Sequence, residues 1–239
     1  MRGKQAHHFP RLALHESRRL RHSSVNLHEL LSSTESPIVG TREALLSELW
    51  LDQPSYVGAW CCSAFDGDRM VRAAALRSWD SVLSDSPTDE QPGISLTERV
   101  PSMISFLSDL ISTQDEPASA DPDDVPTSDA SILRTQSLLS LAYLVSCPIS
   151  IEEDSIKELL QSEELWDHLD KEKESSSATR AAAYEVLEAL VQRTENDLLR
   201  KKEGLLETVA RIVLTNCWAE RDGWTGVVAF LRCECRLPD

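Results

Sequence analysis

Between Pro54 and Leu83 the chain reads PSYVGAWCCSAFDGDRMVRAAALRSWDSVL, which admits little besides two helices folded back on each other. Pro54 suits a first helical turn, where its missing N–H is no loss. Val57, Trp60, Cys61, Ala64 and Phe65 follow at three- and four-residue spacing, which places them on one helix face. Asp66-Gly67-Asp68-Arg69 supplies a turn. Beyond it Val71, Ala74, Ala75, Trp79, Val82 and Leu83 trace a second stripe, and the small Ala73, Ala74 and Ala75 let two backbones approach closely. A hairpin of this kind cannot bury both stripes by itself, so it demands neighbours stacked on either side.

The signature returns later in the chain. Arg72-Ala73-Ala74-Ala75 aligns with Arg180-Ala181-Ala182-Ala183, and Trp79, Val82 and Leu83 then fall on Leu187, Leu190 and Val191. Six residues before each arginine stands an acid, Asp66 and Glu174. Helix propensity alone favours Arg-Ala-Ala-Ala anywhere, but it does not account for the acid offset or the downstream match. The pattern resembles the HEAT repeat, a two-helix unit stacked into right-handed solenoids. That resemblance implies a ladder in which turn acids and second-helix arginines link adjacent units. The candidate repeat residues are Trp60, Phe65, Asp66, Asp68, Arg69, Arg72, Ala73 and Ala74, then Glu174, Arg180, Ala181 and Ala182.

A narrower resemblance rests on Gly58-Ala59-Trp60, Phe65-Asp66-Gly67-Asp68-Arg69 and Val71-Arg72-Ala73-Ala74. Together they look like the N-terminal half of the listerin family, the RING-type E3 ubiquitin ligases of ribosome-associated quality control. Thr41-Arg42-Glu43-Ala44-Leu45-Leu46 occupies the place of the helix before this stretch in the family. Trp218-Ala219-Glu220-Arg221-Asp222-Gly223-Trp224, with Phe230-Leu231, is similar to a later family segment. The resemblance runs from about residue 24 to 231 and is strongest over 54–83.

Composition bounds the alternatives. Eight glycines and three tyrosines are few for an all-β protein of 239 residues. No apolar run approaches the about 20 residues of a membrane span, and no apolar segment follows Met1-Arg2-Gly3-Lys4 to make a secretory signal. The six cysteines, at 61, 62, 147, 217, 233 and 235, read as small buried hydrophobes of an intracellular protein. Charge is uneven. Residues 1–50 carry seven Lys/Arg against five Asp/Glu, and the remainder seventeen against thirty-five. Six of those basic residues lie in the first 22, with His7, His8, His15 and His22. Such a segment is expected to be a disordered basic tail; the other reading is an arm touching nucleic acid. The strongly acidic remainder argues against broad contact with RNA phosphate.

The helical map divides into two blocks, 23–112 and 132–217. Ser24–Ser33 and Val39–Trp50 make a first pair, with the 54–83 hairpin next. Val100, Met103, Ile104, Leu107, Leu110 and Ile111 give an i, i+3, i+4, i+7 face. Ser95-Leu96-Thr97-Glu98 matches a capping box, yet Pro101 lies inside the helix it would open, which favours a later start. Residues 113–131 hold six acids, three prolines and no basic residue, so a disordered acidic loop is expected there. Ile132–Val145 is apolar nearly all round, as in a helix buried between neighbours. Ser150-Ile151-Glu152-Glu153 is a second capping box, Trp166 and Leu169 anchor a short turn, and Lys171–Ser177 is a charged loop. Ala178–Gln192 carries the repeat. Leu198, Leu205, Leu206, Val209, Ile212 and Val213 form a last stripe, before a degraded repeat over 218–239.

No catalytic constellation is legible. A RING needs Cys/His pairs in CxxC-like spacing to hold zinc, and the close pairs here are Cys61-Cys62 and Cys233-Glu234-Cys235. No phosphate-binding glycine loop or nucleophile elbow is present. Asp66 and Asp68 lack the following ligand spacing of a calcium loop and read as helix caps. The tryptophans read as core.

The expected fold is therefore an all-α, HEAT/armadillo-like superhelix, a solenoid of helical hairpins. What the listerin resemblance implies is a non-catalytic, cytosolic N-terminal scaffold, with no cofactor of its own and zinc only in a RING elsewhere in the family. Its implied partners are the large ribosomal subunit and nuclear export mediator factor, with the ubiquitin-conjugating enzyme engaged only through the RING. The ending RCECRLPD departs from the family and suggests a truncated chain. The alternative is a free-standing HEAT adaptor unrelated to ubiquitin.

Overall fold

The computed structural model describes residues 2–32, 54–82, 99–112, 130–147, 151, 155, 158, 159 and 162–193. Every regular element among them is helical: α1 (Arg2–Ala13), α2 (Arg18–Ser32), α3 (Pro54–Ser63), α4 (Arg69–Val82), α5 (Val100–Ser112), α6 (Ala130–Ser146), α7 (Glu163–Asp167) and α8 (Ser177–Arg193). The chain is all-α, with the helical packing of a solenoid domain. It divides into two compact units, Met1–Gln136 and Ser137–Asp239, and the boundary falls inside α6.

In the first unit α3 is the central helix. It packs on α1, α2, α4 and α5, and Tyr56 through Ser63 are all buried. Its apolar spacing predicts one buried face, but neighbours on all sides bury the intervening positions as well. That is possible because Gly58, Ala59, Cys61, Cys62 and Ser63 are small, and the one hydroxyl is satisfied internally: Ser63 Oγ donates to the Ala59 carbonyl at 2.9 Å. Gly58 is needed for the approach of α5. A Cβ there would stand 2.1 Å from Cδ1 of Phe106, inside any real contact distance. Cys61 and Cys62 are reduced thiols buried in the helix packing.

On α4 the buried residues Val71, Ala74, Ala75, Ser78 and Trp79 form a stripe, and Met70, Leu76 and Arg77 face out. The alanines admit α2, so that Val25 closes a small cluster with Ala64, Val71, Ala74, Ala75 and Phe65. Of the face predicted on α5, Val100, Met103, Ile104, Leu107 and Ile111 are buried and Leu110 is half-buried. Pro101 sits in the first turn, where no backbone hydrogen bond is lost.

The N-terminus departs from the expectation of a disordered tail over 1–22. Residues 2–13 and 18–32 are α-helical, and α2 begins six residues before the predicted Ser24. Two physical reasons stand out. Phe9, Ala13 and Leu14 bury apolar surface, and part of the basic charge is matched by acids from the α3–α4 turn, as described below. Ser17 opens α2, its carbonyl accepting from the N–H groups of Leu20 and Arg21 at 3.0 and 3.1 Å.

In the second unit α7 is capped by Ser162, whose hydroxyl accepts from the Leu165 N–H at 3.3 Å, with Glu163 and Glu164 favourably placed in the first turn. Leu165, Trp166 and Leu169 are buried. So are Ala182, Ala183, Tyr184, Val186, Leu187, Ala189 and Leu190 of α8. On α6 the run Leu138, Leu141, Leu144 and Val145 is fully buried. The Val39–Trp50 helix, the 95–98 capping box, residues 113–129 of the acidic loop, and the 198–213 and 218–239 segments lie outside the described residues.

The acid–arginine turns as candidate functional site

The two turns singled out by the repeat have the same internal wiring. In the first, Asp66 Oδ1 accepts from the Asp68 N–H at 2.7 Å. In the second, Glu174 Oε1 accepts from the Ser176 N–H at 2.9 Å. Arg72 Nη1 donates to the Asp66 carbonyl at 2.8 Å, and Arg180 Nη1 donates to the Glu174 carbonyl. The next helix starts the same way in both, with the Arg72 and Arg180 N–H groups bonded to the carbonyls of Asp68 and Ser176 at 3.0 and 3.1 Å. Asp68 and Ser176 are the N-caps. Asp68 Oδ1 accepts from Met70 and Val71 at 2.9 and 3.3 Å, and Ser176 Oγ from Thr179 at 3.3 Å.

The link between units implied by the HEAT resemblance is made at Asp66, but not by the arginine of its own turn. Within each turn the arginine closes its own loop by bonding the acid's backbone carbonyl. The carboxylate is held by a different side chain, which for Asp66 is a cation. For Asp66, 1 % exposed, that cation is Arg21 of α2: Nε meets Oδ2 at 2.7 Å and Nη2 meets Oδ1 at 3.3 Å. Arg21 Nη1 also donates to the His15 and Glu16 carbonyls at 2.9 and 2.8 Å, tying the chain just after α1 into the same knot. For Glu174 the partner is His168, with Nδ1 at 3.0 Å from Oε2.

Further ion pairs hold α2 to its neighbours. Arg18 pairs with Asp68, and Arg77 of α4 meets Glu29 at 2.5 Å. The solvent that Asp68 loses pushes its carboxyl up. The N–H groups of Val71 and Met70, with Arg18 and Arg21 nearby, outweigh that effect and hold it below the usual carboxylate range.

The remaining candidate residues divide by burial. Trp60 is enclosed, its Nε1 donating to Ser78 Oγ at 2.8 Å, and its ring meets Trp79 edge-on at 5.0 Å. Ala74 and Ala182 are buried, Ala73, Ala181 and Phe65 half-buried, and Arg69 exposed. The arrangement at Asp66 is a clamp. A guanidinium stays protonated at ordinary pH, and the Asp66 and Asp68 carboxylates face cations and backbone donors. Among the described residues no group of three or more His, Cys, Asp or Glu is placed to hold a metal ion.

Sequence reasoning missed Arg21, His168 and Ser176. Ser176 was legible as a serine immediately before α8, at the place Asp68 holds before α4. Arg21 was hidden by its company of histidines and arginines, although Ser17 followed by Val25 and His28 at helical spacing marks a capped helix.

A family model described as "E3 ubiquitin-protein ligase listerin, N-terminal domain" matches residues 5–231. The chain belongs to the listerin family. The match takes in α1 and α2, so the N-terminal helices are part of the listerin domain and not an appendage to it. No curated protein and no solved structure matches the chain.

Proposed function

We propose that this chain is the N-terminal scaffold portion of a listerin-type E3 ubiquitin ligase acting in ribosome-associated quality control. In that role it positions the ligase on large ribosomal subunits carrying stalled nascent chains, beside nuclear export mediator factor, and the ubiquitin transfer itself is performed elsewhere. The carrying observation is the family match over residues 5–231. The clamped turn at Asp66 supports the reading, because arginine-locked helix pairs hold a shape. A cytosolic location belongs to the same proposal. No helix among the described residues is long and apolar enough to cross a membrane.

The test is competition. Large subunits bearing a stalled nascent chain are supplied with nuclear export mediator factor and an intact listerin ligase, and the purified chain is added in excess. Co-sedimentation of the chain with the subunits, together with reduced ubiquitination of the nascent chain, is expected. A chain that stays in the supernatant and leaves ubiquitination unchanged refutes the proposal.

A further inference from the structure

His28 is a histidine without an apparent use. It lies on the buried side of α2, 4 % exposed, among rings from two other helices. Its ring centroid is 5.0 Å from Phe9 of α1, 5.6 Å from Tyr56 and 4.4 Å from Trp60 of α3. Phe9 and Tyr56 are themselves 4.6 Å apart, so three helices meet through these rings. Nδ1 of His28 is shielded from solvent and has no hydrogen-bond partner.

The neutral imidazole tolerates this site, because one ring nitrogen then carries only a lone pair. An imidazolium does not, because both nitrogens become donors and the ring carries a full charge. The faces of Phe9, Tyr56 and Trp60 attract a cation, but that attraction recovers only part of the hydration lost on burial. No carboxylate is bonded to Nδ1 to make up the rest. The charged and titratable groups on the surrounding elements are engaged elsewhere or differ in character. On α1 and just after it stand His8, Arg11 and His15. On α2 itself are His22 and Glu29, the latter paired with Arg77 of α4. Tyr56 of α3 is kept neutral, since burial pushes its hydroxyl up. On α4 and the turn before it, Asp66 and Asp68 are held by Arg21 and Arg18, Arg72 bonds the Asp66 carbonyl, and Arg69 is exposed.

We propose that His28 is an acid-sensitive keystone, whose protonation releases α1 and α2 from α3. Burial lowers its pKa from 6.5 to about 3 in the folded chain, so in the window between those values the unfolded or released chain binds a proton that the packed chain refuses. The stability that neutral His28 permits is fully present above 6.5 and is lost progressively as pH falls toward 3. The ion pair of Arg18 with Asp68 persists through the upper part of this window, because that carboxyl is held low.

The test uses the full chain and its His28→Phe variant in urea unfolding from pH 7.5 to 4.5, followed by tryptophan fluorescence. Relative to the variant, the unfolding constant of the wild type is expected to rise toward tenfold per pH unit below 6.5, about a hundredfold by pH 4.5. Parallel pH profiles for the two proteins overturn the proposal. Two readouts on the wild type make the test independent of how well the variant folds. The His28 ring resonance in the folded chain is expected not to titrate between pH 7.5 and 5, and a midpoint near 6.5 overturns the proposal. Amide exchange at pH 5, corrected for intrinsic rates, is expected to rise first in α1 and α2; a uniform rise, or none, also overturns it.

Discussion

The turns at Asp66 and Glu174 share a backbone circuit but differ in what the carboxylate holds. Asp66 takes Arg21, 45 positions upstream on another helix. Glu174 takes His168, six positions upstream within the connection between α7 and α8. The common part, acid to N–H two residues on and arginine back to the acid's carbonyl, closes within seven residues in each case. It therefore forms wherever the local sequence supplies it. The differing part decides whether the turn is only a turn or also a tertiary latch. A bidentate arginine carries a permanent charge and grips both carboxylate oxygens. A histidine offers one nitrogen and a charge that depends on pH.

The largest separation between the turns is expected from removing the partner of each carboxylate. Arg21→Ala strands the buried Asp66 carboxylate, which costs about 3–5 kcal/mol for a buried pair broken on one side. His168→Ala, which removes a local partner, is expected to cost about 1–2 kcal/mol. Urea denaturation of both variants measures the difference, and equal losses break the comparison. Next in size is the shared feature. Arg72→Met and Arg180→Met each remove a charged donor from a turn carbonyl and are expected to destabilise by similar amounts, about 1.5–3 kcal/mol. A large disparity between them shows that the two circuits are not equivalent.

Smaller effects concern the caps. Ser176→Ala is expected to cost about 1 kcal/mol through loss of the α8 cap, with hydrogen exchange in the first turn of that helix as the local readout. At the other turn the cap is an acid whose folded-state pKa is depressed. Its contribution is present above the ordinary carboxylate range and is lost as pH falls through the lowered value. Asp68→Ser is therefore expected to flatten the acid limb of the stability profile, whereas Ser176→Ala leaves the shape of that limb unchanged. An unaltered limb in Asp68→Ser removes this distinction between the turns.

The hairpin over 54–82 and the α8 repeat were legible because their causes are local. Three- and four-residue apolar spacing, a proline at Pro54, a glycine between two aspartates and an arginine six residues after an acid all act within a few turns of chain. The N-terminal helices were obscured by composition. Clustered arginines and histidines ordinarily mark a solvated tail, and nothing near Arg18 or Arg21 in the sequence shows that acids will be waiting for them. The enclosure of α3 was only half legible for a related reason. Its periodicity marks one face, while burial of the other depends on Phe106 lying over Gly58 and on α1 lying against Tyr56.

What the order of residues determined alone is the helical alphabet: which segments coil, where two of them turn, and how each turn closes on itself. Those choices follow from sterics, propensity and hydrogen bonds spanning a handful of positions. Tertiary packing alone decided that Arg21 becomes a latch and that His28 becomes an enclosed neutral ring. A charged or titratable side chain has the same identity in water as in a core. Only the neighbours that replace its hydration, drawn here from α1, α3 and the α3–α4 turn, decide which of those it will be.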